Sequence, residues 1–145
     1  SQGGFLSIAV AALDKRITFL APVHDAMCDY EAEIHGVAGG WPHYFYKGDK
    51  AQGAAWKEQK LTDLEKVRLE GARYYDGVNF ARRITVPGWY SFGYNDEVVP
   101  PTSSYGLYNS VKAPKTLSLY QMTGHYWYQE QWDEWQAWII QQLKK

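Results

Sequence analysis

The chain opens with S-Q-G-G-F-L-S-I-A-V-A-A-L at residues 1–13. Its apolar side chains follow helical spacing, so we predict a buried helix over residues 2–13. A serine and two glycines stand directly at the start of this helix. With a strand and Gly-x before them, they would complete a G-x-S-x-G elbow, a tight strand-to-helix turn that presents a serine and admits only small neighbours.

Three short segments further along the chain predict strands. Residues 17–21 form a continuous apolar run that suits a strand buried on both faces, and residues 85–93 and 115–121 predict a second and a third strand. Helical patterns precede, separate and follow these segments. They cover residues 26–37, 61–69, 75–83, 100–111 and 127–143. This alternation is typical of an α/β protein with a mostly parallel sheet.

The composition narrows the class of protein. A length of 145 residues suits one domain, and 15 basic against 16 acidic residues give no general attraction to nucleic acid or to an anionic membrane. The lone cysteine, Cys28, excludes an intrachain disulfide and cysteine-based zinc sites, and we interpret it as a small buried hydrophobe. No apolar run approaches the roughly 20 residues that span a bilayer, and no signal peptide is recognised at the start.

Aromatic residues make up 17% of the chain, with 7 Trp and 12 Tyr. Large rings suit the packing of a core. They also suit a surface that faces carbohydrate, because Trp and Tyr combine an apolar face with a polar tip. Composition alone leaves both interpretations open.

Polar residues follow two of the predicted strands. Asp96 comes after the second strand and His125 after the third. Because chemistry in open parallel sheets collects at the carboxyl ends of the strands, these two side chains form a candidate pair of carboxylate and general base. Taken singly, Asp96 could cap the turn before Pro100 and His125 could be a polar loop residue. Glu97 is a weaker candidate for the acid.

The remaining histidines give no comparable signal. His24, His35 and His43 are separated by 11 and 8 residues, which fits no common metal-binding motif. We therefore interpret them as surface residues. By contrast, the order Ser1, Asp96, His125 is the order of nucleophile, acid and base in α/β-hydrolases.

Specific motifs recur over most of the chain. They are S-Q-G-G at 1–4, N-F-A-x-R-I at 79–84, G-x-x-D-x-V-x-P-P-T at 93–102 and G-H at 124–125. Within residues 1–17, 28–30, 74–109 and 113–127, the sequence resembles the second half of the acetyl xylan esterase and cephalosporin C deacetylase family. The resemblance is weakest over residues 34–73.

The resemblance implies an α/β-hydrolase that removes acetyl groups from xylose units and related esters, with no metal or organic cofactor. Ser1 then corresponds to the nucleophile, Asp96 to the acid and His125 to the base. The backbone N–H of Gln2 corresponds to a donor of the oxyanion hole. Three aromatic residues flank these positions and are candidates for the substrate pocket, with core packing as the alternative; they are Tyr94, Tyr126 and Trp127.

The resemblance also implies that residues 1–145 are the C-terminal portion of a single hydrolase domain, with residues 23–73 as an excursion of helices and loops. The N-terminal part of that domain would then be a necessary partner, and we expect the isolated portion to fold poorly and to be inactive. Family members often assemble through surface helices, which suggests a homo-oligomer by analogy. The location in the cell stays open, although a polysaccharide substrate would favour the periplasm or the exterior.

The expected substrate is a small acetyl ester or an acetylated saccharide. The same triad also serves peptidases and other acyl esterases, so a related hydrolase is an alternative. A third interpretation is a carbohydrate-binding protein that keeps the hydrolase fold without catalysis. The complete set of Ser, Asp and His argues against that third interpretation.

Overall fold

A computed structural model describes residues 1–46 and 58–145. Helices and strands alternate in the predicted order, and most of their ends lie within a few residues of the predicted ones. The elements are α1 (Gln2–Leu13), α2 (Tyr30–Ile34), α3 (Asp63–Arg73), α4 (Gly77–Ala81), β1 (Gly88–Gly93), α5 (Pro101–Ser110), β2 (Lys115–Tyr120) and α6 (Gln129–Leu143). Within this part of the chain, no helix has both the length and the apolar character needed to cross a membrane.

The sheet is parallel, as predicted. β1 pairs with β2 from Gly88 opposite Lys115 to Gly93 opposite Tyr120. On its other side, β1 pairs with residues 20–23 through two isolated parallel bridges, which place Leu20 opposite Gly88 and Val23 opposite Ser91. β1 therefore lies between two parallel neighbours, and the carboxyl ends of all three segments meet at one edge.

The first extended segment differs from its prediction. Pairing with β1 continues past Pro22, because the N–H groups of Leu20 and His24 donate to carbonyl groups before and within β1 at 3.2 and 2.9 Å. Pro22 lacks an N–H, which leaves a gap in the ladder and reduces the pairing to two bridges. Thr18 is exposed, so burial on both faces was a wrong prediction for residues 17–21.

The main hydrophobic core lies between the sheet and three helices. Every residue of β1 is buried, and its side chains alternate between the two faces. Tyr90 packs edge-on against Tyr108 of α5 at 5.5 Å between ring centroids. Ser91 faces the other way and accepts a hydrogen bond from Gln131 of α6 at 2.7 Å. The core cluster contains Ile8, Ala11, Leu20, Cys28, Ala81, Ile84, Tyr90, Leu107 and Val111.

α1 is buried on one face only, so its prediction as a buried helix was wrong in part. Its buried side chains include Phe5, Ile8 and Ala11, whereas Leu6 is 52% exposed and Val10 is 47% exposed. The exposed side chains border an apolar groove of about 440 Å³. Its lining residues are Gly3, Leu6, Ser7, Val10, Ile17, Phe19, Leu20, Ala21, Trp135 and Ile139.

The face of α6 that packs on the protein overlaps only in part with the one that its apolar spacing predicted, since Trp135 and Ile139 of that predicted face are half-buried. The predicted face included Trp132 and Leu143, which are 40% and 70% exposed. The fully buried residue is Gln131, whose amide has a polar partner in the sheet, and the Trp135 indole donates to the Ala21 carbonyl at 2.9 Å. A hydrophobic pattern misses such a face because the polar side chain that anchors it finds its partner only in the folded protein.

The described part of residues 23–73 carries α2, α3 and a smaller cluster of its own. Tyr30, Phe45 and Leu69 form the buried centre of that cluster. α3 begins with a capping box, in which the Glu65 N–H donates to Thr62 Oγ1 at 3.3 Å and the Thr62 N–H donates to Glu65 Oε2 at 2.7 Å. Local capping therefore determines where this helix begins.

Gly93 allows the loops after β1 and β2 to touch. A Cβ at this position would lie 2.2 Å from the carbonyl oxygen of Thr123 and 2.5 Å from that of Gly124. Directly beyond it, the Tyr94 N–H donates to the carbonyl of Tyr120 at the end of β2, and the Asn95 N–H donates to that of Thr123 in the second loop, both at 3.0 Å. The missing side chain thus lets the two loops that end at Asp96 and His125 lie side by side.

We expect Gly93→Ala to destabilise the protein by about 1–3 kcal/mol, because the added methyl group must push two backbone carbonyls apart. Gly71→Ala is the matched control. Gly71 is an exposed residue of α3 whose Cβ would meet open space, so alanine should be neutral or stabilising by up to about 1 kcal/mol. Urea unfolding of the natural protein that contains this chain measures both changes. Equal midpoints for the two variants would contradict the close approach at Gly93.

Candidate active site

The site lies where the carboxyl ends of the three parallel segments meet. Asp96 follows β1, His125 follows β2 and His24 follows residues 20–23. The loops after β1 and β2 are joined by the backbone hydrogen bond from the Asn95 N–H to the Thr123 carbonyl, and the centroids of the His24 and His125 rings are 5.0 Å apart. Three polar side chains that are far apart in sequence therefore share one small space.

Asp96 is the centre of this group. Its carboxylate is buried, and Oδ2 accepts hydrogen bonds from His125 Nδ1 at 2.8 Å and from His24 Nδ1 at 2.9 Å. Oδ1 accepts from the backbone N–H groups of Val98 at 2.9 Å and Val99 at 2.8 Å. Because an ionised carboxylate can only accept, both imidazoles carry a proton on Nδ1.

These hydrogen bonds determine the charge of Asp96. Burial by itself would raise the pKa of the Asp96 carboxyl, but the hydrogen bonds from His24, the Val99 N–H and His125 outweigh burial and hold the pKa below its usual value. The carboxylate is therefore ionised at neutral pH. It can orient an imidazole and stabilise a positive charge on it.

The two histidines differ in their access to solvent. The His24 side chain is 3% exposed and the His125 side chain is 26% exposed. His24 Nε2 is buried, with no hydrogen-bond partner among the described residues. Of the two, only His125 can exchange a proton with a molecule that arrives from outside.

The buried position of His24 corrects its interpretation as a surface residue. His43 is also half-buried, with Nδ1 3.6 Å from Glu33 Oε1, so the surface prediction is confirmed for His35 alone. Asp96 and His125 follow the second and third predicted strands, and His24 occupies the corresponding position after the first extended segment. The strand-end rule therefore identifies His24 once it is applied to that segment as well.

The group of His24, Asp96 and His125 also has the composition of a metal site. One ligand atom from each of the three residues lies within 4.8 Å of the others. Coordination through the two Nδ1 atoms would require both to give up the protons that now bind Asp96 Oδ2. The observed distances of 2.8 and 2.9 Å are those of hydrogen bonds, so the arrangement fits a carboxylate–imidazole pair better than a metal centre.

Ser1 lies next to the segment that carries His24. Its nitrogen is 3.0 Å from the Val23 carbonyl oxygen, and its own carbonyl accepts from the Ala26 N–H at 3.4 Å. Among the residues that the structure describes, no hydrogen bond joins Ser1 to His125. The structure therefore brings Asp96 and His125 into contact and places Ser1 at the start of α1, against the segment that carries His24. Gln2 is exposed and is the first residue of that helix, where backbone N–H groups lack partners within the helix.

The two glycines after Gln2 have different roles. A Cβ on Gly4 would lie 2.7 Å from the Val23 carbonyl oxygen, so the close approach predicted for this turn is confirmed there. A Cβ on Gly3 would meet nothing within 4 Å in residues 1–46 and 58–145. Steric crowding by the described residues therefore accounts for one glycine and not for the other.

Several known esterases resemble this chain in sequence or in structure. The family model "Acetyl xylan esterase (AXE1)" matches residues 1–142. "Acetyl esterase Axe7A" of Xylanibacter ruminicola is 37% identical over 144 residues, which are 99% of this chain and 30% of that protein. The structure of the acetyl xylan esterase from Paenibacillus sp. R4 matches with a TM-score of 0.77 at 26% identity, over 97% of this chain and 42% of that one.

This chain belongs to the acetyl xylan esterase family.

The fold is correspondingly that of an α/β-hydrolase, in part. Est1E from Butyrivibrio proteoclasticus has a TM-score of 0.65 at 24% identity, over 100% of this chain and 59% of its own. An acylaminoacyl peptidase from Pyrococcus horikoshii has a TM-score of 0.66 at 10% identity, over 96% of this chain and 22% of its own. Both likenesses concern the fold alone. The chain spans 30% of the length of Axe7A, 42% of that of the Paenibacillus esterase and 59% of that of Est1E.

The three aromatic side chains that were predicted to line the substrate pocket are exposed to solvent. Tyr94 is 54% exposed and borders a cleft of about 540 Å³ together with Asp96. Tyr126 is 53% exposed, and its hydroxyl is 3.1 Å from that of Tyr128. Trp127 is 40% exposed and contacts α6 edge-on through Trp132 and Trp135. Trp127 therefore has a packing role whatever else it contacts.

The structure also describes Cys28 and Glu97, the two weaker candidates for site residues. Cys28 is fully buried, donates to the Asp25 carbonyl at 3.1 Å and has a thiol pKa that burial raises, which confirms it as a buried residue. Glu97 is exposed, whereas its neighbour Asp96 binds both histidines.

Ionisation of the buried Asp25 side chain makes the free energy of unfolding depend on pH. Its side chain is fully buried, and neither carboxylate oxygen has a hydrogen-bond partner among the described residues. Burial raises the pKa of Asp25 to about 7. The unfolded chain releases this proton near its ordinary pKa of about 4, so stability falls as the pH rises from about 4 to about 7 and then levels off.

Asp25→Asn should remove this loss, because the amide cannot ionise. We expect little difference from the native protein near pH 4 and a gain of at most about 4 kcal/mol near pH 8, measured by urea unfolding at the two pH values. Asp63→Asn, at an exposed carboxylate, is the control and should show no comparable gain. Stability curves that stay parallel for the native and Asp25→Asn proteins between pH 4 and pH 8 would refute the buried carboxylate proposed here.

Proposed function

We propose that the protein containing this chain is a serine esterase that releases acetate from acetylated xylo-oligosaccharides or similar acetyl esters. The observation that carries the proposal is the buried Asp96 carboxylate bound to the solvent-accessible His125 at the carboxyl edge of the sheet. Family membership adds the reaction class, because this chain is 37% identical to a protein named as an acetyl esterase.

In this proposal, the two nitrogens of His125 have separate roles. Nδ1 is held by Asp96 at 2.8 Å, which leaves Nε2 to accept the proton of the Ser1 hydroxyl. Serine needs such a base because its hydroxyl is a weak nucleophile near neutral pH. His24 is unsuited to this role, since its second nitrogen is buried.

The reaction then proceeds in two halves. Ser1 Oγ attacks the acetyl carbonyl carbon as His125 takes its proton, and the oxyanion accepts a hydrogen bond from the Gln2 N–H. The C–O bond to the sugar breaks, the sugar oxygen takes the proton from His125, and acetyl-Ser1 remains. Water, deprotonated by His125, then attacks the acetyl carbonyl carbon; the bond to Ser1 Oγ breaks, Ser1 Oγ takes the proton back from His125, and acetate leaves. Tyr94 and Tyr126 lie exposed at the two loops and are suited to contact the substrate.

We further propose that residues 1–145 are the C-terminal portion of one hydrolase domain. The relatives Axe7A and the Paenibacillus esterase are longer, with 30% and 42% of their lengths matched. The apolar groove beside Leu6 and Val10 and the outer edge of residues 20–23 are the surfaces that another part of the domain would cover. Covering them would remove exposed apolar side chains and an unpaired sheet edge together.

His125→Ala should lower turnover of a chromogenic acetyl ester by about 10⁴-fold or more in the natural protein, because no other described imidazole can replace its Nε2. His35→Ala is the control, since His35 is exposed and lies in a different part of the fold. Ser1→Ala should match His125→Ala. Substantial activity in either triad variant would eliminate the proposed mechanism.

Leu6→Asp or Val10→Asp should lower the melting temperature of the natural protein strongly, because a carboxylate would enter an apolar contact without a partner. The control is Val67→Asp in α3, where the side chain is 69% exposed. Val67 lies outside the groove, so its substitution should change the melting temperature by little. Similar effects at all three positions would argue against a covered groove.

A further inference from the structure

Two histidines donate to one oxygen of Asp96, and the proposed reaction uses only one of them. His125 Nδ1 and His24 Nδ1 lie 2.8 and 2.9 Å from the same Oδ2 atom. A carboxylate that must only orient one imidazole does not require a second. The duplicated contact therefore needs its own explanation.

The backbone at His24 adopts an uncommon conformation to make this contact. Its φ is +51°, in the left-handed region that non-glycine residues seldom occupy. The residue is held there by the hydrogen bond from its N–H to the Ser91 carbonyl at 2.9 Å, at the end of the first extended segment. Uncommon conformations of this kind persist where the surrounding structure enforces them, and they are concentrated at functional sites.

Burial makes the contact effective. Both the His24 side chain and the Asp96 carboxylate are shielded from water, with side-chain exposures of 3% and 0%. A hydrogen bond to a charged group in such surroundings cannot be replaced at little cost by a water molecule. Its loss would leave Oδ2 with His125 as its one remaining donor among residues 1–46 and 58–145.

Resting on the proposed function, we propose that His24 is a positioning residue: its Nδ1–H fixes the Asp96 carboxylate in the orientation and the ionised state that His125 requires. Oδ1 is held by the N–H groups of Val98 and Val99, and Oδ2 is held by His24 as well as by His125. Rotation of the carboxylate away from His125 would therefore break hydrogen bonds at both of its oxygens. Asp96 can therefore stay ionised and orient His125 while buried, whereas a buried carboxyl group with fewer hydrogen-bond donors would take up a proton.

Other charged groups lie near this pair and must be accounted for in any pH measurement. Asp25 follows His24 directly and is buried. Glu97 is adjacent to Asp96 but exposed. None of these groups is altered by substitution of His24, so each contributes equally to native and variant proteins.

The test compares two substitutions at position 24 in the natural full-length protein. His24→Asn keeps a side-chain N–H donor, and asparagine tolerates the left-handed backbone. In His24→Gly, the glycine adopts that backbone conformation without strain but has no side-chain N–H to donate. Both variants therefore avoid added backbone strain, and they differ in the hydrogen bond to Asp96. Thermal unfolding verifies that each is folded.

Two readouts are measured: the pH profile of acetyl-ester hydrolysis, and the NMR titration of the ¹³C-labelled Asp96 carboxyl. In His24→Gly we expect the midpoint of the Asp96 titration and the acid limb of the pH profile to move up by about one pH unit, and kcat to fall roughly 10- to 100-fold. His24→Asn should restore most of both. A folded His24→Gly protein with a native Asp96 titration would overturn the inference.

The two proposals fail in different ways. If the native protein hydrolyses no acetyl ester, the proposed function is wrong, and the Asp96 titration alone still decides whether His24 holds the carboxylate in its ionised state. If the native protein is active and His24→Gly has the native profile and kcat, the proposed function survives and the role of His24 is refuted. A change in thermal stability without a change in either pH midpoint would likewise reduce His24 to a packing residue.

Discussion

The buried carboxylate of Asp96 is the interaction on which the organisation of this site depends. An ionised carboxyl group away from water is stable only if donors surround it, and here two backbone N–H groups and two imidazoles do so. Meeting that requirement ties together the ends of all three parallel segments, because the donors come from loops on each of them. The chemistry and the packing at this edge of the sheet are therefore one arrangement.

The loops can meet at Asp96 because the backbone comes unusually close in two places. Gly93 lets the loop after β1 touch the loop after β2, and Gly4 lets the first turn of α1 lie against the segment that carries His24. A side chain at either position would separate the groups that the site brings together. Close packing at these two glycines thus serves the site more than the core.

In contrast to the close packing at Gly93 and Gly4, the groove beside α1 leaves apolar surface uncovered. Leu6 and Val10 are exposed along a helix whose other face is fully packed, and residues 20–23 have a sheet partner on one side among the described residues. The relatives of known structure are longer than this chain. A domain that continues across this face would account for both observations through the burial of apolar surface and the pairing of a sheet edge.

Sequence alone determined the α/β class, the parallel order of the strands, and Asp96 and His125 as partners, because periodicity and strand-end position are local properties that can be recognised without coordinates. The resemblance of its motifs to those of a known family indicated the family. Tertiary structure alone decided which face of α1 and of α6 is buried, and it revealed His24. The reason is physical: hydrophobic spacing describes one element at a time, whereas Gln131 and His24 are buried because each finds a polar partner in a distant part of the chain.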